Sequence, residues 1–111
     1  MNGYIYKITN QINQKIYIGK TVNSIDARWK EHLHDYKRPQ HEKRPLYEAM
    51  NKYGIENFTI EEVEEVDVKK LSIREIYWIE YYNTYNNGYN ATLGGDGKIL
   101  YDYDLIAELI P

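Results

Sequence analysis

Two segments near the N-terminus, rich in tyrosine and isoleucine and separated by polar residues, constrain the fold more than any other feature of the chain. Residues 4–9 and residues 15–20 consist mainly of side chains that favour β-strands. Residues 10–14 between them read Asn-Gln-Ile-Asn-Gln, a composition that favours a turn. The sequence therefore predicts a β-hairpin at the start of the chain.

The length of the turn decides which side chains of the hairpin share a face. A two-residue turn at Ile12 and Asn13 is the natural connection. This turn pairs Tyr6 with Gly19 and leaves Tyr17 diagonal to Tyr6 on the same face. Two phenols would then flank one site. The alternative is that both tyrosines pack beneath the helices, as most strand tyrosines do.

Capping residues and the spacing of apolar side chains predict the other elements. Asn23 or Ser24 can cap the first helix, while Pro45 begins the second and Gly54 ends it. The order β-β-α-α-β-α predicts an α+β fold, with a small three-stranded antiparallel sheet flanked by helices. The predicted elements after the hairpin are helices over residues 25–36, 45–53 and 68–82, a strand over residues 58–63 and irregular chain over residues 83–97.

The length of 111 residues suits one compact domain with a single core. We assign residues 1–97 to this domain and residues 98–111 to a C-terminal tail. The chain has no cysteine and no apolar run of membrane-spanning length. These features predict a soluble cytoplasmic protein without disulfides, and we expect a monomer.

The charge of the chain is divided unequally between its two halves. Residues 1–53 carry ten Lys and Arg against five Asp and Glu, whereas residues 54–111 carry four against twelve. A formal net charge of -3 argues against a nucleic-acid partner, because phosphate contacts usually need a basic surface. The basic half nevertheless contains the tyrosine hairpin. An ordinary dipolar surface would explain the same asymmetry.

The first predicted helix places two polar residues at the border of its apolar stripe. Its stripe contains Ile25, Trp29 and Tyr36, and Arg28 and His32 lie beside it. In the structural alternative, the stem of Arg28 covers the core with its charge in water, and His32 is a hydrogen-bonded boundary residue. If this border faces the hairpin, the pair offers a bidentate phosphate ligand next to a titratable side chain.

Glu75 lies in the middle of the apolar face of the last predicted helix, between Leu71 and Ile79. Burying a carboxylate without a partner is costly, so Glu75 must be protonated, paired with a cation or bound to a metal. An ion pair with Arg28 and a metal site are equally compatible with this pattern.

In order and spacing, these motifs resemble the GIY-YIG nuclease catalytic domain, in particular that of the homing endonucleases of phages and introns. The resemblance extends through residue 95. The first family motif reads Gly-Ile-Tyr, whereas here Tyr4 stands between Gly3 and Ile5. The segments that carry the resemblance are residues 3–21, 28–32, 46–54, 74–79 and 87–90.

The resemblance implies a metal-dependent endonuclease that hydrolyses DNA in a bacterial or phage-infected cell. One tyrosine would be the general base, Arg28 the phosphate ligand, and Glu75 the ligand of one Mg²⁺ or Mn²⁺ ion. Matched motif by motif, the implied catalytic residues are Tyr6, Tyr17, Arg28, His32, His41, Glu75 and Asn90, with Arg28, Lys20 and Asn90 also binding substrate.

A non-catalytic, tyrosine-rich module that binds nucleic acid is the alternative function. The tail bears on both hypotheses, because residues 101–110 predict the start of an amphipathic helix. The tail either docks on the domain or begins a separate DNA-binding module. In the second case, we expect the domain alone to bind DNA weakly and with little sequence selectivity.

Overall fold

The computed structural model describes residues 1–39 and 44–94, and it has the predicted elements plus one further helix. The predicted tail, residues 98–111, lies outside the described residues. No helix in the described part of the chain is long and apolar enough to cross a membrane. The elements are β1 (Asn2–Asn10), β2 (Ile16–Thr21), α1 (Ile25–Asp35), α2 (Pro45–Tyr53), β3 (Phe58–Asp67), α3 (Leu71–Tyr82) and α4 (Thr84–Asn87).

The three strands form one antiparallel sheet in the order β2-β1-β3, which confirms the predicted fold class. Tyr6 on the central strand pairs with Gly19 on β2, as the hairpin pattern predicts. The pairing of β1 with β3 shifts register between Ile5 and Tyr6, where β3 carries one extra residue. β2 is an edge strand, so Tyr17 stands at the border of the sheet.

The hairpin turn is longer than predicted. The Gln14 amide donates to the Asn10 carbonyl at 2.7 Å, and the chain therefore turns over residues 11–14. The Asn10 side chain accepts from the Ile12 amide at 2.9 Å, and Gln14 adopts a φ of 63°. These local bonds favour the longer loop over a two-residue turn. Both loops are centred between Ile12 and Asn13, so the strand register is unchanged.

Helices cover both faces of the sheet. Tyr6 and Ile8 lie on the face covered by α1 and α2, whereas Ile5 and Ile18 lie on the face covered by α3. Alternation along the strands produces this division. The two buried clusters consist of Tyr6, Ile8, Leu46, Tyr47, Ala49, Met50, Phe58 and Tyr89 on the first face, and Ile5, Ile18, Leu71 and Ile79 on the second.

Two glycines of the hairpin allow close packing around the sheet. A Cβ on Gly19 would overlap the Cζ and hydroxyl of Tyr6, so this position leaves room for the phenol. A Cβ on Gly3 would come within 2.8 Å of Leu71 Cδ2 and 2.9 Å of the Thr21 carbonyl oxygen. Gly3 therefore admits the start of α3, although Tyr4 separates it from the rest of the motif.

The second half of the chain differs from the prediction at its element ends. β3 continues to Asp67, whose side chain accepts from the Lys69 amide at 2.9 Å and begins a 3₁₀ turn over Val68–Lys70. α3 therefore starts after that turn. Asn83 adopts a left-handed φ of 53° and ends α3, and the chain then forms α4 within a segment predicted to be irregular.

Candidate active site

Helix α1 places Arg28 and His32 against Tyr6 of the central strand. His32 is 0% exposed, and its Nε2 lies 2.7 Å from the Tyr6 hydroxyl. Arg28 Nε donates to the same hydroxyl at 3.2 Å, and Arg28 also pairs with Glu31 at 2.7 Å. The four-residue spacing on one helix face thus brings a guanidinium and an imidazole to one phenol.

Tyr17 separates this buried cluster from a cavity at the edge of β2. Its ring centre lies 6.3 Å from that of Tyr6 and 5.9 Å from that of His32. Tyr17 lines a cavity of about 280 Å³, which Tyr47 lines from the α2 side and Glu75 from the α3 side. Side chains from both faces of the sheet therefore meet at the edge strand.

Glu75 projects from α3 into this cavity and has a cation beside it. Glu75 is 9% exposed, and its Oε1 lies 3.6 Å from Lys20 Nζ. Lys20 also donates to Ser72 Oγ at 3.0 Å. The proposed ion pair of Glu75 with Arg28 is wrong, because Arg28 lies over the opposite face of the sheet and pairs with Glu31. Lys20 takes that place because its side chain points towards α3.

Asn90 binds the outer edge of β2. Its Oδ1 accepts from the Ile18 amide and its Nδ2 donates to the Ile18 carbonyl, both at 2.8 Å. The adjacent Tyr89 amide donates to the Ile16 carbonyl at 3.0 Å. The Asn90 carboxamide thus acts as a short neighbouring strand, and it braces the backbone next to Tyr17.

Replacing Asn90 with alanine should lower the free energy of unfolding of the domain. The substitution leaves the buried amide and carbonyl of Ile18 without their partners. We expect a loss of about 2 kcal/mol, since each unsatisfied buried group costs roughly 1–3 kcal/mol. Thermal unfolding should fall by roughly 10 °C.

Asn87→Ala is the matched control, because Asn87 is exposed and lies in α4 near the same segment. Its melting temperature should stay close to that of the unmodified protein. A stable Asn90→Ala variant that loses only substrate affinity would show that Asn90 binds phosphate and does not brace β2.

Burial determines the protonation states of the cluster. It raises the pKa of the Tyr6 phenol, and the neighbouring Tyr17 phenol raises it further. It also raises the pKa of Tyr17, with a smaller contribution in the same direction from the Glu75 carboxylate. Burial lowers the pKa of His32 to about 3, and the charges of Arg28 and Arg44 act in the same direction. At neutral pH the two phenols are therefore protonated and His32 is uncharged.

Two residues close to the site are absent from the sequence prediction. The Tyr47 hydroxyl lies 2.9 Å from His32 Nδ1, and Arg44 lies 4.9 Å from the centre of the Tyr47 ring. Both line the cavity. Helical spacing indicates that Tyr47 lies on the apolar face of α2, but it does not indicate which side chain of α1 it contacts. His41, a predicted catalytic residue, lies outside the described residues.

The donors around the cavity fit a divalent metal ion that keeps most of its water ligands. Glu75 contributes a carboxylate to the lining. Within residues 1–39 and 44–94, no group of three or more His, Cys, Asp or Glu side chains could enclose a metal ion. Mg²⁺ needs only one or two carboxylates when water and substrate phosphate supply the other oxygens. Glu75 therefore suits an ion of this kind.

Comparison with known proteins identifies the class of enzyme that this fold and site define. A sequence model described as the GIY-YIG catalytic domain matches residues 2–90. The chain belongs to the GIY-YIG family, and it is a nuclease domain of that family. Nucleases of this family generally use divalent metals. Membership therefore supports an enzyme over the non-catalytic binding module.

Two of the curated relatives are proteins of Enterobacteria phage T4. Intron-associated endonuclease 1 of Enterobacteria phage T4 is 33% identical over 112 residues, covering 99% of this chain and 45% of that protein. Putative endonuclease segB of the same phage is 41% identical over 97 residues, covering 85% of this chain and 39% of that protein. The chain spans less than half the length of the curated relatives it matches.

Two solved structures share the fold. The catalytic domain of homing endonuclease I-TevI superposes with a TM-score of 0.72 and 32% identity, covering 81% of this chain and 98% of that one. A mutant form of the same catalytic domain gives a TM-score of 0.74, again at 32% identity, covering 83% and 95%. Both matches cover more than four fifths of this chain.

Proposed function

We propose that this domain hydrolyses phosphodiester bonds of DNA with a tyrosine general base, an arginine phosphate ligand and one Glu75-bound Mg²⁺ or Mn²⁺ ion. The observation that carries the proposal is the contact of Tyr6 with both His32 and Arg28, directly behind the cavity that Glu75 lines. The names of the T4 relatives and of I-TevI as endonucleases support a polynucleotide substrate.

The phenol pair of Tyr6 and Tyr17 activates the attacking water. Tyr17 lines the cavity, whereas Tyr6 is buried behind it with its hydroxyl 2.7 Å from His32 Nε2. As water attacks phosphorus, its proton passes to the phenol pair, and the Tyr6 proton moves to His32. His32 is uncharged at neutral pH and can accept this proton.

Substrate binding would make His32 a better proton acceptor. The positive charges of Arg28 and Arg44 lower the pKa of His32 after burial, which is the largest cause. A phosphate bound to these arginines offsets their charge, so the pKa of His32 rises. His32 therefore accepts a proton more readily when DNA occupies the cavity than in the free enzyme.

Arg28 and Glu75 provide the remaining parts of the reaction. Arg28 holds the scissile phosphate and stabilises the negative charge that grows on its oxygens. Glu75 would hold the divalent ion, which would supply Lewis-acid stabilisation of the negative charge that develops during hydrolysis. Lys20 would hold the Glu75 carboxylate in place, since its Nζ lies 3.6 Å from Glu75 Oε1. Asn90 keeps β2, and with it Tyr17, in place.

The interaction with DNA is proposed to be weak and poorly selective for this domain alone. Residues 54–111 carry four Lys and Arg against twelve Asp and Glu, so basic residues are concentrated in the first half of the chain. Few phosphate contacts imply modest affinity that falls with salt. Sequence recognition would then need further protein segments, as the greater length of the curated relatives allows.

Cleavage of supercoiled plasmid in Mg²⁺ or Mn²⁺ tests the proposed function. The unmodified domain should convert plasmid to nicked or linear product, and EDTA should stop the reaction. Arg28→Lys keeps the charge but loses the planar donor set, including the Nε contact with Tyr6. We expect roughly a 100-fold lower cleavage rate, as for the loss of one preorganised donor to a transition-state oxyanion.

The control is Arg38→Lys, because Arg38 is exposed and follows the same helix. This variant should cleave at the unmodified rate. Tight binding of DNA without cleavage in either metal would contradict the nuclease proposal and favour a non-catalytic binding module. An Arg28→Lys variant with full activity would remove Arg28 from the phosphate site.

A further inference from the structure

Arg44 is a positively charged side chain in the lining of the cavity. It lines the cavity from the α2 side, together with Tyr47, whereas Glu75 lines it from the α3 side. One wall therefore carries a guanidinium, and another carries the carboxylate that is proposed to bind the metal. A DNA phosphate in the cavity would meet positive charge on both sides once a divalent ion is bound at Glu75.

Local structure places the Arg44 side chain before any ligand binds. A proline disfavours helical backbone at the preceding residue, and Arg44 is extended before Pro45, with φ −74° and ψ 127°. Its guanidinium carbon lies 4.9 Å from the centre of the buried Tyr47 ring, a cation–π distance. Burial raises the pKa of the Tyr47 phenol, so the ring is neutral at pH 7. The contact therefore positions the guanidinium without cancelling its charge.

The charge of Arg44 acts mainly on the phenol that faces the cavity. Burial raises the pKa of Tyr17 most, and the Glu75 carboxylate raises it further. Arg44 and, more weakly, Arg28 lower the pKa of Tyr17. For His32 the order is reversed, because its pKa is lowered first by burial, then by Arg28 and then by Arg44. Arg28 is thus the charge beside the buried histidine, and Arg44 is the charge beside the cavity.

We propose that Arg44 is a substrate-binding residue whose guanidinium donates to a backbone phosphate of DNA inside the cavity. This inference rests on the proposed function for the identity of the ligand and on the observed cavity for its geometry. A guanidinium offers parallel N–H donors to phosphate oxygens, so the contact has direction as well as charge. Arg44 is exposed, and substrate can reach it without any rearrangement of the core.

Arg44 and Arg28 contribute at different stages of the reaction. Arg28 Nε donates to the Tyr6 hydroxyl at 3.2 Å, which places its charge beside the proposed proton path. The backbone phosphate held by Arg44 is charged before the reaction begins and stays charged throughout. A contact that is equally strong in the substrate complex and in the transition state lowers KM and leaves kcat largely unchanged. We therefore assign Arg44 to binding and Arg28 to the reaction.

Arg44→Gln tests the proposal in a binding measurement that needs no cleavage. Fluorescence anisotropy with a short fluorescein-labelled DNA duplex in EDTA gives the Kd at several salt concentrations. At low salt we expect roughly 10-fold weaker binding, as for the loss of one charge-assisted contact. The slope of log Kd against log salt concentration should fall by about 1, the value for one phosphate contact. In cleavage assays with Mg²⁺, KM should rise by a similar factor, with a smaller change in kcat.

Lys52→Gln is the matched control, because it removes the same charge from the other end of α2. Lys52 also lies over a tyrosine ring, 5.2 Å from the centre of Tyr53, but it does not line the cavity. Its Kd and salt slope should stay close to those of the unmodified domain. Arg44→Lys keeps the charge and loses the planar donors, so the salt slope should be retained while the Kd rises less than in Arg44→Gln.

The outcomes separate this inference from the proposed function. A folded Arg44→Gln variant with the unmodified Kd and salt slope would overturn the role of Arg44, even in an active nuclease. An equal loss of affinity in Lys52→Gln would also overturn it, because net charge alone would then explain the effect. If Arg44→Gln does not fold, Arg44→Lys decides, and an unmodified Kd in that variant would contradict the contact.

Binding and cleavage are measured independently. A domain that cuts no DNA, yet loses affinity in Arg44→Gln and not in Lys52→Gln, would contradict the nuclease mechanism and support the binding role of Arg44. A domain that binds no DNA at low salt would contradict both.

Discussion

Replacing Glu75 with glutamine should abolish metal-dependent cleavage while the domain stays folded. Glutamine keeps the shape of the side chain but removes the charge that a divalent ion needs. Loss of Lewis-acid stabilisation is worth several kcal/mol, so we expect a rate reduction on the order of 1000-fold. The measurement is the rate of plasmid nicking across a range of Mg²⁺ and Mn²⁺ concentrations.

Glu80→Gln controls for the change of charge, because Glu80 is exposed on the same helix. Its nicking rate and metal dependence should match those of the unmodified domain. Glu75 also lies 3.6 Å from Lys20, so circular dichroism and thermal melts must accompany the assay. Full activity in a folded Glu75→Gln variant would assign Glu75 to a structural ion pair with Lys20 and would contradict its role as the metal ligand.

Replacing Tyr6 with phenylalanine should slow cleavage by a factor comparable to that of Glu75→Gln. The variant loses the hydroxyl that contacts both His32 Nε2 and Arg28 Nε. Without it, the proton released by water has no path to the imidazole, and Arg28 loses one of its positioning contacts. We expect a loss of roughly 100- to 10,000-fold in the single-turnover cleavage rate, the range typical of general acid–base catalysis.

Tyr4→Phe is the matched control on the same strand and the same face, two residues earlier. Tyr4 lies outside the cluster of Tyr6, Tyr17 and His32, and its variant should cleave normally. Cleavage by Tyr6→Phe at more than a tenth of the unmodified rate would show that the Tyr6 hydroxyl is dispensable. Tyr17 would then be the phenol to test as the base.

The strands and their register were predictable because they depend on local patterns. Alternating apolar residues defined the hairpin, and the turn predicted at Ile12 and Asn13 gave the pairing of Tyr6 with Gly19 because the longer observed loop has the same centre. Pro45 and Gly54 likewise located α2 to the residue. Helical periodicity placed Glu75 on the buried face of α3, which the structure confirms at 9% exposure.

The partners of the buried polar groups were not predictable, because they depend on how the helices are placed across the sheet. The spacing on α3 indicates that Glu75 must be protonated, paired with a cation or bound to a metal, but it does not distinguish Lys20 on the near face from Arg28 on the far one. Tyr47 meets His32 only because α2 packs beside α1. The sequence showed an aromatic residue on an apolar helix face, which most often means core packing.

The bond between Asn90 and Ile18 also bears on how this domain avoids self-association. An edge strand that carries a proposed catalytic tyrosine must stay accessible to substrate, and its backbone amides and carbonyls could pair with a strand from another molecule if they were left open. Asn90 occupies those groups with one side chain and leaves the Tyr17 phenol uncovered. The opposite edge strand, β3, carries the exposed carboxylates of Glu61 and Glu65, whose charge disfavours pairing with another strand. The same asparagine that braces the cavity therefore protects this edge of the sheet without acidic side chains, which would repel a polyanion.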